Sequence, residues 1–352
     1  MTTPEGDVVV SQLGGTVDGL TMRSWPAPEL LVPGMRVQLA VHEAPDLALR
    51  MHVVIDDAHI LARPPAPAFV RTGPTKAGHS LYWESGCIFL VVDPLGTKAV
   101  PASQATPAID ASIATWNDDT VSCSYMKLMQ QAPPKQNVGD PALEVGKDGM
   151  NLLKFRDASW CRPANGEDPA RCYPDAAAGI TTAVFVDDAK SSRDGAIVDA
   201  DIELNGVGFA IAVAGQTLSQ LPCKAELQNT LTHELGHLHG LEHTCLAAGD
   251  PGRVDDQGNP VPDCVSTSDP KIVDATMYPF QDCGETKKET LEPDDINSMC
   301  VIYPTAKDPG TCEAPGGSSG GCCSATGSPS EALLLAAATS ALVLARRRRR
   351  TR

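Results

Sequence analysis

No cysteine occurs in the first 86 residues of this 352-residue chain. Twelve lie in the remainder, and no two stand in the C-x-x-C or C-x-x-x-x-C spacing of a zinc knuckle. A small cysteine-ligated zinc module is thereby excluded. Basic residues are also scarce: 28 Lys and Arg against 44 Asp and Glu leave a formal net charge of −16. So acidic a chain is a poor partner for nucleic acid or an anionic membrane face, which both select basic surfaces. Six of its few cations are moreover gathered at the end, as Arg346 to Arg350 and Arg352. The opening MTTPEGDVVV is acidic and lacks the apolar segment of a secretory signal. The apolar run EALLLAAATSALVLA (331–345) falls short of the roughly 20 residues usual for a membrane-spanning helix.

What is present describes a folded protein. A hydrophobic content of 42% is ordinary, and the length allows one sizeable core plus a smaller domain. The cysteines fall in separated groups around polar loops: Cys161 and Cys172, Cys245 and Cys264, Cys283 and Cys300. That distribution suits disulfides, hence an oxidising compartment, although the spacing does not fix the pairing. An exported protein without a leader is a contradiction. The expectation that resolves it is a start upstream of Met1, with the first domain cut short.

Residues 1 to 70 read as a small β-domain, with strands at MRVQLAV (35–41) and LRMHVVI (49–55) and the proline-rich linker ARPPAPAFV (62–70). Its His42, His52 and His59 read as ordinary surface or strand residues. A second domain, 71–305, mixes strands and helices in α+β fashion. LYWESGCIFLVV (81–92), NLLKFRD (151–157), TTAVFVD (181–187) and AIVDADIELN (196–205) read as strands. The last alternates aliphatic with acidic residues, as an exposed edge strand does. TPAIDASIATWND (106–118) predicts a helix capped at Thr106 with Pro107 at its first position, bearing Ile109, Ile113 and Trp116 on one face. LEPDDINSMCVIY (291–303) predicts a closing helix. A Gly/Pro/Ser linker (306–321) and a tail (322–352) follow.

AELQNTLTHELGHLHGL (225–241) is the strongest helix in the chain, and it carries the chemistry. His233 and His237 stand four apart, on one helical face, where two imidazoles can meet one Zn²⁺. Glu234 stands beside the first, placed to take a proton from metal-bound water. Gly240 can end the helix in a left-handed turn, so that the chain doubles back and His243 supplies a third nitrogen. Three histidines leave one position for water, the mark of a catalytic zinc. A rival reading uses other residues. His239-Gly240-Leu241-Glu242-His243 matches the inverted pattern H-x-x-E-H. It would place glycine inside the metal helix, at about 1 kcal/mol relative to Ala, and would leave His233 and His237 without a role. Under the first reading His239 faces away from the metal, as a helix-surface residue or one that supports a ligand.

The complete string H-E-x-x-H-x-x-G-x-x-H, followed by ATMYP (275–279), resembles the metzincin zinc metalloproteases, and among them the matrixin-like enzymes. The resemblance spans about residues 71–305 and includes ATWND, DADIELN and DDINSMCVIYP. It implies a twisted, mostly parallel sheet with a long zinc-binding helix, His233, His237 and His243 as ligands, Glu234 as general base, and Met277 as the Met-turn beneath the metal. It implies a peptide or protein substrate that adds as a strand to the sheet edge. Asn205, Gly206, Val207 and Gly208, up to Phe209, would then line the substrate, and Tyr278, Pro279 and Phe280 would wall the pocket beyond the scissile bond. Hydrolysis would proceed by metal-assisted attack of water, with no nucleophilic Ser or Cys.

The chain also departs from that pattern. No cysteine precedes Cys87 to block the zinc, and RCYPD (171–175) reads as a disulfide loop instead. The long acidic insert with Asp250, Asp255, Asp256 and Asp263, and the pair Asp199 and Asp201, offer ligands for Ca²⁺ in no familiar spacing. The tail GGCCSATGSPSEALLLAAATSALVLARRRRRTR resembles the sorting tails of myxobacterial surface proteins. That implies a processing protease as a partner, membrane contact through the tail alone, and a cell-surface or secreted location. The alternative from another class is a surface binding or adhesion protein that keeps this scaffold without turnover. An intact Glu234 argues against it, since a binding module needs no general base.

Overall fold

Four runs rich in β-branched and aliphatic residues pair with a fifth, more polar strand into one sheet. The computed structural model describes residues 68–312, except 139, 165–168 and 215–222. Before them it describes only short antiparallel pairs: β1 (Thr2–Thr3) with β2 (Gly6–Asp7), β3 (Gly14–Val17) with β4 (Leu20–Arg23), and β5 (Arg36–Val37) with β6 (Ile60–Ala62). The predicted strand at 49–55 and the tail at 322–352 lie outside the described residues.

The main sheet holds β7 (Cys87–Val92), β8 (Lys127–Gln131), β9 (Asn151–Arg156), β12 (Gly179–Phe185) and β13 (Ile197–Asn205), in the order β12-β13-β9-β7-β8. All neighbours run parallel except β12, which joins β13 antiparallel. Four elements of two or three residues complete the strands that matter here: the hairpin β10 (Cys161–Arg162) with β11 (Arg171–Cys172), and the parallel pair β14 (Ala210–Ala212) with β15 (Lys224–Glu226). The helices are α1 (Ala102–Trp116), α2 (Leu227–Leu238), the single turn α3 (Pro270–Val273) and α4 (Pro293–Ile302). The fold is α+β with a mostly parallel sheet.

The core lies between one face of this sheet and α1 with α2. Leu227, Leu231, Leu235 and Leu238, spaced by four and three along α2, meet Ile109, Ile113 and Trp116 of α1 and Ala200, Ile202 and Leu204 of β13. Helix α1 starts earlier than its sequence suggests, capped at Pro101, so Pro107 falls inside it. The carbonyl that Pro107 leaves without its helical donor belongs to Ser103, which is exposed and can bond water.

The segment DADIELN is not an edge. It is β13, flanked by β12 and β9, and Asp199, Asp201 and Glu203 are 1%, 3% and 1% exposed. Alternation here separates two buried faces of different chemistry. Asp199 accepts the backbone N–H groups of Asp148 and Gly149, and Asp201 those of Gly146 and Leu152. Glu203 pairs with Arg156 and takes the Tyr173 hydroxyl. The sheet edges are β12 and β8, and β12 is the one that lies against α2.

Burial raises the pKa of Asp199 to about 6, and burial together with the Asp199 charge raises that of Asp201 to about 8. Both folded values exceed the unfolded one, so the stabilisation they carry is complete below pH 4 and is lost as pH rises through 6 and then 8. We expect the unfolding free energy from urea titrations to fall between pH 4 and 8, with a limiting slope of about 1.4 kcal/mol per pH unit for each titrating group. Asp199→Asn should flatten the fall. Its amide oxygen can keep both backbone bonds, its nitrogen takes the place of Oδ1, which has no partner, and the charge is gone. An unfolding free energy independent of pH in wild type would show that these carboxyls stay ionised.

Five disulfides brace the domain: Cys87–Cys312, Cys123–Cys300, Cys161–Cys172, Cys223–Cys283 and Cys245–Cys264. They mark an oxidising environment. Two groupings suggested by sequence proximity are true pairs. Cys283 and Cys300 are not joined to each other, because the first sits beside β15 and the second on α4, against the turn after α1. Cys312 binds its partner at the start of β7, so the polar segment after Tyr303 is tied to the domain through that residue. Among the described residues no helix is long and apolar enough to cross a membrane.

Candidate metal centre

Helix α2 ends as its glycine requires. Gly240 takes φ +91°, its N–H reaches the His237 carbonyl at 2.9 Å, and the Leu241 N–H reaches Gly236 at 3.0 Å. This is the Schellman arrangement. It reverses the chain and returns His243 to the helix. The Nε2 atoms of His237 and His243 are 3.2 Å apart, and the His233 ring lies 4.9 and 5.3 Å, between centroids, from the other two. Among the described residues this triad is the one group of three or more His, Cys, Asp or Glu side chains that could hold a metal.

The hydrogen bonds assign the ring nitrogens. His233 Nδ1 donates to the Thr276 carbonyl at 2.7 Å, and His237 Nδ1 to the Leu241 carbonyl at 2.8 Å. Each Nε2 is then a lone-pair donor, as a metal ligand must be. Nε2 of His237 and Nε2 of His243 face each other at 3.2 Å. Two ligands at tetrahedral Zn–N lengths lie about 3.3 Å apart, so the donor set fits zinc. Burial holds His233 well below the usual imidazole range, with the Lys288 charge adding to it. Burial and then the His237 charge bring His243 to about 3. Both rings are therefore neutral and able to ligate at pH 7.

Met277, 2% exposed, packs beneath α2. A Cβ on Gly236 would stand 2.2 Å from its Sδ, so only glycine between the two helical histidines admits it. The preceding Thr276 carbonyl is the one that orients His233.

His239 is neither a surface residue nor a support for a ligand. It is 1% exposed, stacks on Trp116 with centroids 4.8 Å apart, and donates to the Leu235 carbonyl. It faces the core, so the inverted pattern is not assembled. Glu242, the acid of that pattern, is ion-paired with Arg253 at 2.9 Å and accepts the His243 N–H.

Glu234 lies in the same cleft as the triad, 4% exposed, and burial raises its pKa. The Thr181 hydroxyl of β12 donates to its Oε2 at 2.7 Å. A Cβ on Gly179 would stand 2.6 Å from Oε1 and 2.8 Å from Cγ, so the glycine makes room for this carboxylate. Neither residue stood out in the sequence; only the fold brings β12 against α2.

The cleft, about 630 Å³, is lined by Ala176 to Ala178 and then by β12 as far as Phe185. Of the expected substrate-lining residues it includes Phe209, Pro279 and Phe280. Asn205, Gly206, Val207 and Gly208 do not line it. Asn205 is fully buried, and its side chain holds the Ala177 carbonyl and the N–H groups of Val207 and Gly208 in a turn. Tyr278 contributes its carbonyl to Lys288 rather than its ring to the cleft. In the acidic insert, Asp250, Asp255 and Asp256 are engaged with backbone N–H groups. With Asp263 they form no metal-suited cluster among the described residues. Cys172 of RCYPD is bonded to Cys161.

The chain matches no protein-family model and no curated protein.

Proposed function

We propose that this chain is a zinc-dependent endopeptidase of matrixin-like metzincin type, acting outside the cytoplasm on peptide or protein substrates. The observation that carries the reading is the convergence of His233, His237 and His243 in one cleft with the buried carboxylate of Glu234, beside an open sheet edge. His233, His237 and His243 would hold the ion. Bound there, zinc supplies Lewis acidity and a water of lowered pKa. Glu234 takes the proton of the attacking water and delivers it to the leaving nitrogen. Thr181 keeps that carboxylate in place. The β12 backbone offers N–H and C=O groups to an extended substrate, and the segment after Met277 bounds the cleft on the other side. The tail belongs to the same proposal, as the signal that attaches the enzyme to the cell surface.

The test uses the full chain, oxidised and loaded with zinc, on a mixed peptide library. Cleavage is expected, lost on chelation and restored by zinc, with internal bonds cut. Zinc bound tightly without cleavage of any peptide would favour the adhesion scaffold and end the peptidase reading.

A further inference from the structure

The cleft that holds the three histidines is also lined by a lysine. Lys288 has a side chain only 2% exposed, yet it lines the cleft. His233 and Glu234 line the same cleft, and the Lys288 charge is felt at both. Its Nζ donates to the carbonyls of Tyr278 at 2.7 Å and Phe280 at 2.9 Å. An ammonium has three donors. The third meets only Glu285 Oε1 at 4.0 Å, beyond hydrogen-bond reach. Glu285 also stands 4.0 Å from Lys287, so one carboxylate is shared between two cations. Burial lowers the Lys288 pKa to about 8, which leaves the group charged at neutral pH.

The surroundings of the ammonium are polar as well. The Thr230 hydroxyl and the Gln281 amide are hydrogen-bonded to each other at 3.2 Å, and Asn229 fixes that amide by donating to its oxygen at 3.1 Å. An apolar side chain entering this recess would strip water from a cationic donor and return nothing for it. A carboxylate would complete the donor set and balance the charge.

We propose that this recess selects an acidic side chain, Asp or Glu, next to the scissile bond, and that Lys288 is the residue that reads it. The inference rests on the peptidase reading above.

Library cleavage by the full-length, zinc-loaded protein identifies which flanking position is selected. C-terminally amidated peptides differing only in Glu or its neutral isostere Gln at that position are then compared. Amidation prevents a chain-terminal carboxylate from standing in for a side chain. We expect kcat/KM to favour Glu by tenfold or more, as a charge-assisted hydrogen bond made out of water implies. Lys288→Met should abolish the preference, and Lys288→Arg should retain it. Equal cleavage of the two peptides by wild type, or a preference that survives Lys288→Met, overturns this assignment and leaves the peptidase standing. No cleavage by zinc-loaded wild type overturns both. Should Lys288→Met fail to fold, the wild-type ratio and the Arg variant decide.

Discussion

Replacing Glu234 by Gln is expected to lower kcat/KM by about 10²- to 10⁴-fold, the usual contribution of a positioned general base, with zinc binding unchanged. Gln has the same shape and can still accept the Thr181 hydroxyl through its oxygen, but it cannot take a proton. Gly179→Ala should reproduce part of that loss without touching the carboxylate chemically, because the added methyl would stand 2.6 Å from Glu234 Oε1. Glu242→Gln serves as the control. Its carboxylate is occupied by Arg253 and the His243 backbone, so the change should cost no more than a few-fold in rate. Paired metal analysis and peptide kinetics on the three variants separate the roles. An equal loss in Glu234→Gln and Glu242→Gln would sink the assignment.

Removing the Cys123–Cys300 disulfide should cost more stability than opening the short hairpin bridge Cys161–Cys172. The first bridge ties the turn after α1 to α4, where backbone bonds from Tyr125 to Tyr303 and from Thr305 to Cys123 flank it. With Cys87–Cys312 intact, the shortest remaining route between the two cysteines is about 50 residues. The chain-entropy account then gives about 4 kcal/mol, a fall in Tm of about 10 °C for a domain of this size. Opening Cys161–Cys172, which closes only a short hairpin, should cost about 3 kcal/mol by the same account. Thermal unfolding of the two double Ala variants checks the order. A loss of under 2 °C for Cys123→Ala/Cys300→Ala would mean that the packing of Met299 and Tyr303 holds α4 alone.

The readings that held came from residues close together in the chain. Helix α2, its glycine stop and the return of His243 lie within 17 consecutive residues, and helical pitch plus one left-handed glycine dictate their relative positions. The close-spaced cysteines of the hairpin and of the insert paired for the same reason. The readings that failed needed long-range knowledge. Period-two alternation in DADIELN was taken as one buried and one wet face, but the second face is covered by the chain at 143–150 and its acids are hydrogen-bonded there. Pro107 resembles a helix start until Ala105, Ile109 and Ser112 are seen packed inside, extending α1 backwards by a turn.

The amino-acid sequence by itself therefore determined the three histidines that could hold a metal, the glutamate beside them, the α+β composition and the oxidising compartment. Each depends on residue type and on spacing within one local element. Tertiary structure alone decided that β12 rather than β13 is an edge strand, that His239 belongs to the core, that Gly179 and Thr181 pack against Glu234, and that Lys288 lines the same cleft. These follow from which distant segments share a surface. That choice is made by the summed burial of the apolar faces of α1, α2 and β13, and no local spacing records it.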